Sequence, residues 1–312
     1  MKKRIVFFSV LCLILSSCSI NKLAMKAVAN ALTGEGSSDV FTGDSDPKLV
    51  GDAIPFAIKL YETLLDANPD HQGLLLTTGS LFVMYSNAFV HGPAEMLAPD
   101  QWQEREEGMK RAKQLYLRGY DILCKALNSR FRGFSQASAG DGTLQAMLRK
   151  CKKEDTSLLY WTVAGGLAAY SIDVLDFGLS SHIPEWSVMI HRAYELNPDY
   201  DGAALDEFLI LFYASLPEVM GGDKERAVFH FNRALEKTGG NSTSAYISYA
   251  QSICVPAQDY DTYKDYLEKA LAVDTNENVS TRLLTTINQQ KARWLLDNAY
   301  IFFSFLPMPD YY

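Results

Sequence analysis

Residues 202–240 constrain the fold most strongly, because they read as two helices folded back on each other. The segment from Ala203 to Leu216 is apolar on nearly every side, which predicts a buried helix. Pro217 and the two glycines that follow it end this helix, and a second helix with one apolar face comes next. That face consists of Ala227, Val228, Phe231, Ala234 and Leu235.

The alternation of small, large and small residues at Ala227, Phe231 and Ala234 is typical of the second helix of a tetratricopeptide repeat. One such hairpin cannot bury its own apolar faces, so further copies are expected. The intervals between the copies are irregular, which favours a compact, distorted tetratricopeptide-like superhelix over a uniform solenoid. The copies contain Ala57, Tyr61 and Leu64; Ala112, Tyr116 and Gly119; Ile190 and Ala193; and Tyr263, Leu267 and Ala270.

The rest of the chain also reads as helical. We expect inserted helices between Tyr120 and Ile183, and a C-terminal capping helix from Asn278 to Phe303. Pro55 suits the first turn of the first helix of the folded part. No useful length of sequence alternates between polar and apolar residues as a strand does. The sequence therefore predicts an all-α fold with a single helical-repeat domain over residues 47–312.

The N-terminus has the features of a bacterial lipoprotein. Residues 1–17 carry three cations ahead of an apolar run from Ile5 to Leu15, which is too short to cross a bilayer. The run ends in Leu-Ser-Ser-Cys, which fits a lipobox and predicts that Cys18 is acylated. Ordinary signal cleavage that leaves Cys18 unmodified is the alternative. If Cys18 is acylated, residues 18–46 form a lipidated N-terminus and a flexible tether rich in Gly, Ser and Asp.

The charge and the cysteines narrow the class of protein. Loss of the three leader cations would change the formal net charge from −8 to −11, which argues against nucleic-acid binding. Three cysteines remain beyond Cys18, so at most one disulfide can form among them. We therefore predict a protein that is anchored to a membrane by its N-terminal lipid, faces the periplasm and has an ordinary apolar core.

Several short phrases, taken in their order and separation, resemble the T component of tripartite ATP-independent periplasmic (TRAP) transporters. The resemblance extends from about Asp46 to Phe303, and it implies a helical lipoprotein that partners the transporter's solute-binding protein. It also implies a homotrimer with a channel or cavity in each subunit. The phrases are Pro55-Phe56-Ala57 with Tyr61-Glu62, Asn87-Ala88-Phe89-Val90, Leu159-Tyr160-Trp161, Leu196-Asn197-Pro198-Asp199-Tyr200, Phe212-Tyr213-Ala214-Ser215, Gly221-Gly222-Asp223, Val255-Pro256-Ala257-Gln258-Asp259 and Ala292-Arg293-Trp294-Leu295-Leu296.

The sequence contains no recognisable catalytic or metal-binding motif. The five histidines never take the HExxH spacing, and no P-loop, G-x-S-x-G or G-x-G-x-x-G is present. Gly221-Gly222-Asp223 reads as a turn followed by a helix cap rather than as a phosphate site. We therefore predict a protein that is not an enzyme and that needs neither a metal ion nor a cofactor.

Binding candidates come instead from polar and aromatic residues within apolar helices. Phe, Tyr and Trp make up 12% of the chain. Some of these side chains are expected to line a concave surface or pore for an apolar ligand with a polar end. The alternative for each is a buried core residue with satisfied hydrogen bonds. The candidates are Tyr85, Asn87, Trp161, Tyr213, Tyr246 and Trp294.

Three classes of function fit the sequence. The first is a TRAP accessory protein that docks a solute-binding protein and helps to pass on an apolar organic solute. The second is an envelope scaffold that assembles other proteins on its repeat surface. The third, an unrecognised hydrolase, has the least support because no catalytic set is visible.

Overall fold

The computed structural model describes residues 26–34, residue 36 and residues 39–307, so the predicted signal peptide and Cys18 lie outside the described part. All regular elements in this part are helical, which confirms the all-α fold class. Shorter helices cover residues 26–32, Asp39–Thr42 and Phe177–Ser180. The longer helices are α1 Pro47–Ala67, α2 Gln72–Ser86, α3 Trp102–Arg130, α4 Thr143–Leu148, α5 Thr156–Ile172, α6 Ile183–Leu196, α7 Ala204–Ser215, α8 Lys224–Thr238, α9 Thr243–Tyr249, α10 Tyr260–Ala272 and α11 Arg282–Asp297.

Side-chain caps fix where several helices begin. Asp46 accepts hydrogen bonds from the backbone N–H groups of Lys48 and Leu49, and Pro47 occupies the first turn of α1. Pro55 therefore lies inside α1, and the expectation that it opens the helix was wrong. Its ring would clash with the carbonyl four residues earlier, but Gly51 at that position has no side chain and lets the backbone adjust.

Long helices that follow one another in the chain pack side by side as hairpins. α2 packs on α3, α7 on α8, and α9 on α10, while α3 also contacts α5 and α5 contacts α6. α2 and α3 approach closely at Gly79 and Gly119, where a methyl group on Gly119 would lie 2.8 Å from the carbonyl oxygen of Gly79. The interval from residue 120 to 183 contains α4 and α5, as expected for inserted helices. The detailed tetratricopeptide-like geometry of the stack stays a prediction.

Two helices widen into π-helical turns just before a proline. Asn87–His91 continues α2, and Ala250–Cys254 continues α9, with Pro93 and Pro256 following shortly after. Proline cannot donate a backbone hydrogen bond and pushes against the preceding turn, so a wider turn relieves the crowding. The first π turn directs Asn87 and His91 towards the hydroxyl group of Tyr116 on α3.

The C-terminal helix returns to the start of the folded chain. Leu283 and Ile287 on α11 pack with an apolar cluster from α1 that includes Val50 and Ile54. The Arg282 guanidinium donates to the carbonyl oxygen of Gly43 at 3.2 Å. The stack of helices is therefore closed, because its last long helix contacts its first.

One described helix passes a length and composition test for a membrane span. It is the continuous segment Gln72–Glu95, and half of its apolar window is buried inside the protein. Burial of Leu74, Leu75 and Phe82 explains the apolar composition, since these side chains belong to the core. A helix buried in a protein core can pass the same length and composition test, so this result is weak evidence for a membrane span.

Candidate functional site

Closure of the stack creates a continuous row of polar side chains that extends from α2 through α11 and α9 to α7. We call this row the polar belt. Each neighbouring pair is joined by a hydrogen bond, by an ion pair or by adjacency on one element. The polar belt consists of His91, Glu95, Lys291, Asn288, Thr243, Ser244, Ser242 and Glu207.

At one end of the polar belt, Lys291 on α11 pairs with Glu95 beyond the π turn of α2. The ammonium lies 3.0 Å from the Glu95 carboxylate, and His91 lies 3.5 Å from the other carboxylate oxygen. Burial opposes ionisation of Glu95, but the charge of Lys291 and the hydrogen bond that it donates outweigh this effect and lower the pKa of the carboxyl. Burial lowers the pKa of His91, which favours the neutral imidazole. The ion pair between Glu95 and Lys291 therefore joins two distant parts of the sequence.

In the middle of the polar belt, the Asn288 amide donates to the hydroxyl groups of Thr243 and Ser244, both at 3.0 Å. These residues lie in the first turn of α9, which Ser242 caps by accepting a hydrogen bond from the N–H of Ala245. The Ser242 hydroxyl also donates to the carboxylate of Glu207 on α7. One serine thus both begins a helix and orients an acid.

Glu207 is the most unusual member of the polar belt. It follows Asp206 in a mostly apolar helix, and although the residue as a whole is half-buried, desolvation raises the pKa of its carboxyl. The charges of Asp201 and Asp206 raise that pKa further. Within the described part of the chain, no Lys, Arg or His forms an ion pair with Glu207. Its partners are hydroxyl groups, so the carboxylate has no compensating cation of its own.

An aromatic wall stands next to Glu207. Tyr160 on α5 is the central ring, with Trp161, Tyr200 and Phe208 at centroid distances of 5.1, 5.5 and 5.7 Å. All four side chains are half-buried. The interplanar angles run from 52 to 73°, so the rings do not cover one another's faces by parallel stacking. The wall supplies apolar surface beside an acid that lacks a cation.

A second polar cluster is buried between α6, α7 and α8. Asp206 is fully buried and lies 2.7 Å from both His230 and Lys237, while the Tyr194 hydroxyl donates to it at 3.0 Å. Burial opposes ionisation, but the hydrogen bonds from His230 and Lys237 prevail and lower the pKa of Asp206. Asp206 therefore has cationic partners, in contrast to Glu207 beside it, and the cluster holds α6, α7 and α8 together.

Comparison with known proteins identifies the family. The sequence profile described as the TRAP transporter T-component matches residues 43–303, which is most of the chain. The chain belongs to the TRAP transporter T-component family. A protein of Treponema pallidum (strain Nichols), described as uncharacterized, is 33% identical over 306 residues, which is 94% of this chain and 95% of that protein. The resemblance predicted from the sequence is confirmed.

Family membership sets the broad role. This T-component is part of a TRAP transport system, and such a system belongs to the cell envelope. The described residues contain no group of three or more His, Cys, Asp or Glu side chains that could hold a metal ion. Their three cysteines, Cys124, Cys151 and Cys254, are free thiols.

The structure places two of the predicted binding residues of this T-component near the polar belt or the aromatic wall. Asn87 is exposed and donates to Tyr116, which also contacts His91. Trp161 is part of the aromatic wall. That either residue contacts a ligand stays a prediction.

The other four predicted residues lie elsewhere. Tyr213 is buried, and its hydroxyl contacts His191 and accepts a hydrogen bond from Arg226 at 2.8 Å. Tyr246 is also buried, and its hydroxyl donates to the carbonyl oxygen of Gly240 at 2.9 Å. Tyr85 is half-buried with its ring 5.8 Å from Phe89, and Trp294 is half-buried with its ring 6.3 Å from Phe302. Their contacts are those of packed side chains, and their role in ligand binding stays a prediction.

Sequence reasoning missed the members of the polar belt that belong to distant helices. Glu95, Asn288 and Lys291 read as ordinary charged or polar helix positions until α11 meets α2 and α9. Glu207 did carry a signal, because the Asp206-Glu207 pair stands at the start of a long apolar run. An acid in a helix with no polar face is expensive unless it is paired or functional.

Proposed function

We propose that this T-component is a lipid-anchored periplasmic accessory protein, without catalytic activity, that docks the solute-binding protein of its TRAP system. It would also bind or pass on an organic solute with an apolar body, and assemble as a homotrimer. The family match over residues 43–303 is the observation that carries the proposal. The Leu-Ser-Ser-Cys sequence ending at Cys18 supports the lipid anchor.

An exposed apolar loop supports the docking role. Val174, Leu175 and Phe177, between α5 and α6, are 58, 77 and 85% exposed. The loop is held to α3, because Lys113 donates at 2.8 Å to both Asp173 and Asp176. A fixed loop with large exposed apolar side chains suits contact with another protein. We assign the solute-binding protein of the TRAP system as the occupant of this surface, because the family match makes this chain a component of such a system.

The docking proposal can be tested by affinity capture of the solute-binding protein encoded by the same organism's TRAP system. The protein with Phe177→Ser is expected to capture it at least about tenfold more weakly, because an exposed aromatic anchor is lost. Phe56→Ser is the matched control, since Phe56 on α1 is also exposed, at 75%. Equal capture by both variants would remove this loop from the interface. Recovery of outer-membrane assembly proteins instead would favour the scaffold alternative.

The lipid anchor has a separate test. Mass spectrometry of the protein from native membranes is expected to show an acylated N-terminal Cys18, and Cys18→Ala is expected to release the protein into the soluble fraction. An unmodified Cys18 in membrane-associated protein would contradict this part of the proposal. Light scattering of the purified protein measures the number of subunits directly.

A further inference from the structure

We infer that Glu207 and the aromatic wall form a binding site for a cationic ligand, of the class of quaternary or primary alkylammonium compounds. The carboxylate would bind the positive charge, and the rings of Tyr160, Trp161, Tyr200 and Phe208 would contact the alkyl groups around it. This inference rests on the ligand-binding part of the proposed function and is independent of docking. It names the chemical class of the ligand, which family membership leaves open.

The charges that act on Glu207 and Tyr160 are negative. The charged groups that act most strongly on Glu207 are Asp201 and Asp206, and those that act on Tyr160 are Glu207 and Asp201. Asp206 forms ion pairs with Lys237 and Arg233, but neither of these cations is paired with Glu207. The site therefore offers negative potential and lacks a counter-charge from the described residues, so it favours a cation over an anion.

Neutral hydroxyl groups supply the hydrogen bonds around the Glu207 carboxylate. Ser242 donates to one of its oxygens, Ser244 is a second hydroxyl partner, and the residue as a whole is half-buried. Tyr200 directs its hydroxyl towards Ser157 at 3.0 Å, so that ring is fixed by a group away from Glu207. Desolvation raises the pKa of Tyr160 and keeps its phenol neutral. Neutral, fixed rings beside a carboxylate are the arrangement that recognises an ammonium group.

The energetics of Glu207 favour a role in binding over a role in stability. A carboxyl whose pKa is raised by folding destabilises the fold progressively as pH rises from the unfolded pKa through the folded pKa. Ionised Glu207 thus opposes folding at neutral pH, unlike Asp206. Residues that disfavour the fold in this way are typical of binding sites. A bound cation would reverse the effect by stabilising the ionised form.

Isothermal titration calorimetry of the purified protein tests the inference with four probes. These are choline, its uncharged carbon isostere with tert-butyl in place of trimethylammonium, butylamine and butyrate. At least one of the two cations is expected to bind about tenfold or more tightly than the isostere, and butyrate is expected to bind no better than the isostere. If neither cation binds more tightly than the isostere, the inference is wrong.

Variants assign the binding to this site. Glu207→Gln is expected to abolish the preference for the cation and to leave the protein at least as stable at neutral pH, because the glutamine carbonyl can still accept from Ser242 and the destabilising charge is gone. Phe208→Leu is expected to weaken both the cation and the isostere. Glu195→Gln is the control, since that acid pairs with Arg192 at 3.0 Å and is 66% exposed. Equal cation binding by Glu207→Gln and Glu195→Gln would overturn the assignment, whatever the outcome of the docking experiment.

Discussion

Replacement of Asp206 by Asn tests whether the buried cluster between α6, α7 and α8 stabilises the protein. The carboxylate is fully buried and accepts from His230, Tyr194 and Lys237 within 3.0 Å. Asn is nearly isosteric, so the substitution removes the charge and leaves little cavity. Lys237 would lose its buried partner but keep Asp199, at 3.0 Å, and the carbonyl oxygen of Pro198.

These remaining partners set the magnitude of the effect. Removal of one member of a buried ion pair costs about 3–5 kcal/mol when the other charge is left uncompensated. Because Lys237 keeps two acceptors, we expect the lower end, about 3 kcal/mol of unfolding free energy. With a urea m-value of about 3 kcal/mol/M, the midpoint would fall by about 1 M.

Urea denaturation followed by circular dichroism measures this shift, and Asp199→Asn is the matched control. Asp199 contacts the same lysine, but its side chain is 76% exposed, so its loss is expected to change stability by less than about 1 kcal/mol. The folded pKa of Asp206 is lowered, so its contribution is present above the unfolded value of about 3.9 and is lost as pH falls through the folded value. Equal midpoints for the two variants at neutral pH would refute the reasoning.

Three further predictions concern stability and reactivity. Gly166→Ala places a methyl group 2.4 Å from the ring of Trp186, so a loss of about 2 kcal/mol is expected in the same urea assay, whereas Gly140→Ala, with its nearest atom at 3.6 Å, should be neutral. Burial raises the pKa of Cys254 to about 12, so this thiol is expected to react with a disulfide reagent at neutral pH only after denaturation, and fast labelling of the native protein would contradict the packing. Ionisation of Glu207 is expected to lower the stability of the protein as pH rises from acidic to neutral, and Glu207→Gln is expected to remove this loss. An unchanged stability–pH profile would show that this carboxyl is not desolvated.

The helical class and the hairpins could be predicted from the sequence because they depend on local signals. The helix predicted from Ala203 to Leu216 runs from Ala204 to Ser215, and its end at Pro217 follows from the loss of a backbone donor. The start of α1 was predicted wrongly, because Pro55 was placed in its first turn, whereas Asp46 caps the helix and Pro47 begins it.

The candidate site was harder to predict because it depends on long-range closure. The ion pair between Glu95 and Lys291 joins residues 196 positions apart, and no periodicity in either helix points to the other. Residue type also could not tell which predicted binding residues are buried in the core and which are partly exposed. Trp161 and Tyr246 are both aromatic residues in apolar helices, yet one is half-buried in the aromatic wall and the other is buried with its hydroxyl bonded to Gly240.

Contact of α11 with α1 has a consequence for how the protein unfolds. A linear array of repeats frays from its termini, because the outermost units have a neighbour on one side only. Here Leu283 and Ile287 seal the first helix against the last, so neither terminal unit can detach without exposing the apolar surface of the other. The array should therefore melt as a single cooperative unit, and deletion of α11 should loosen residues more than two hundred positions away.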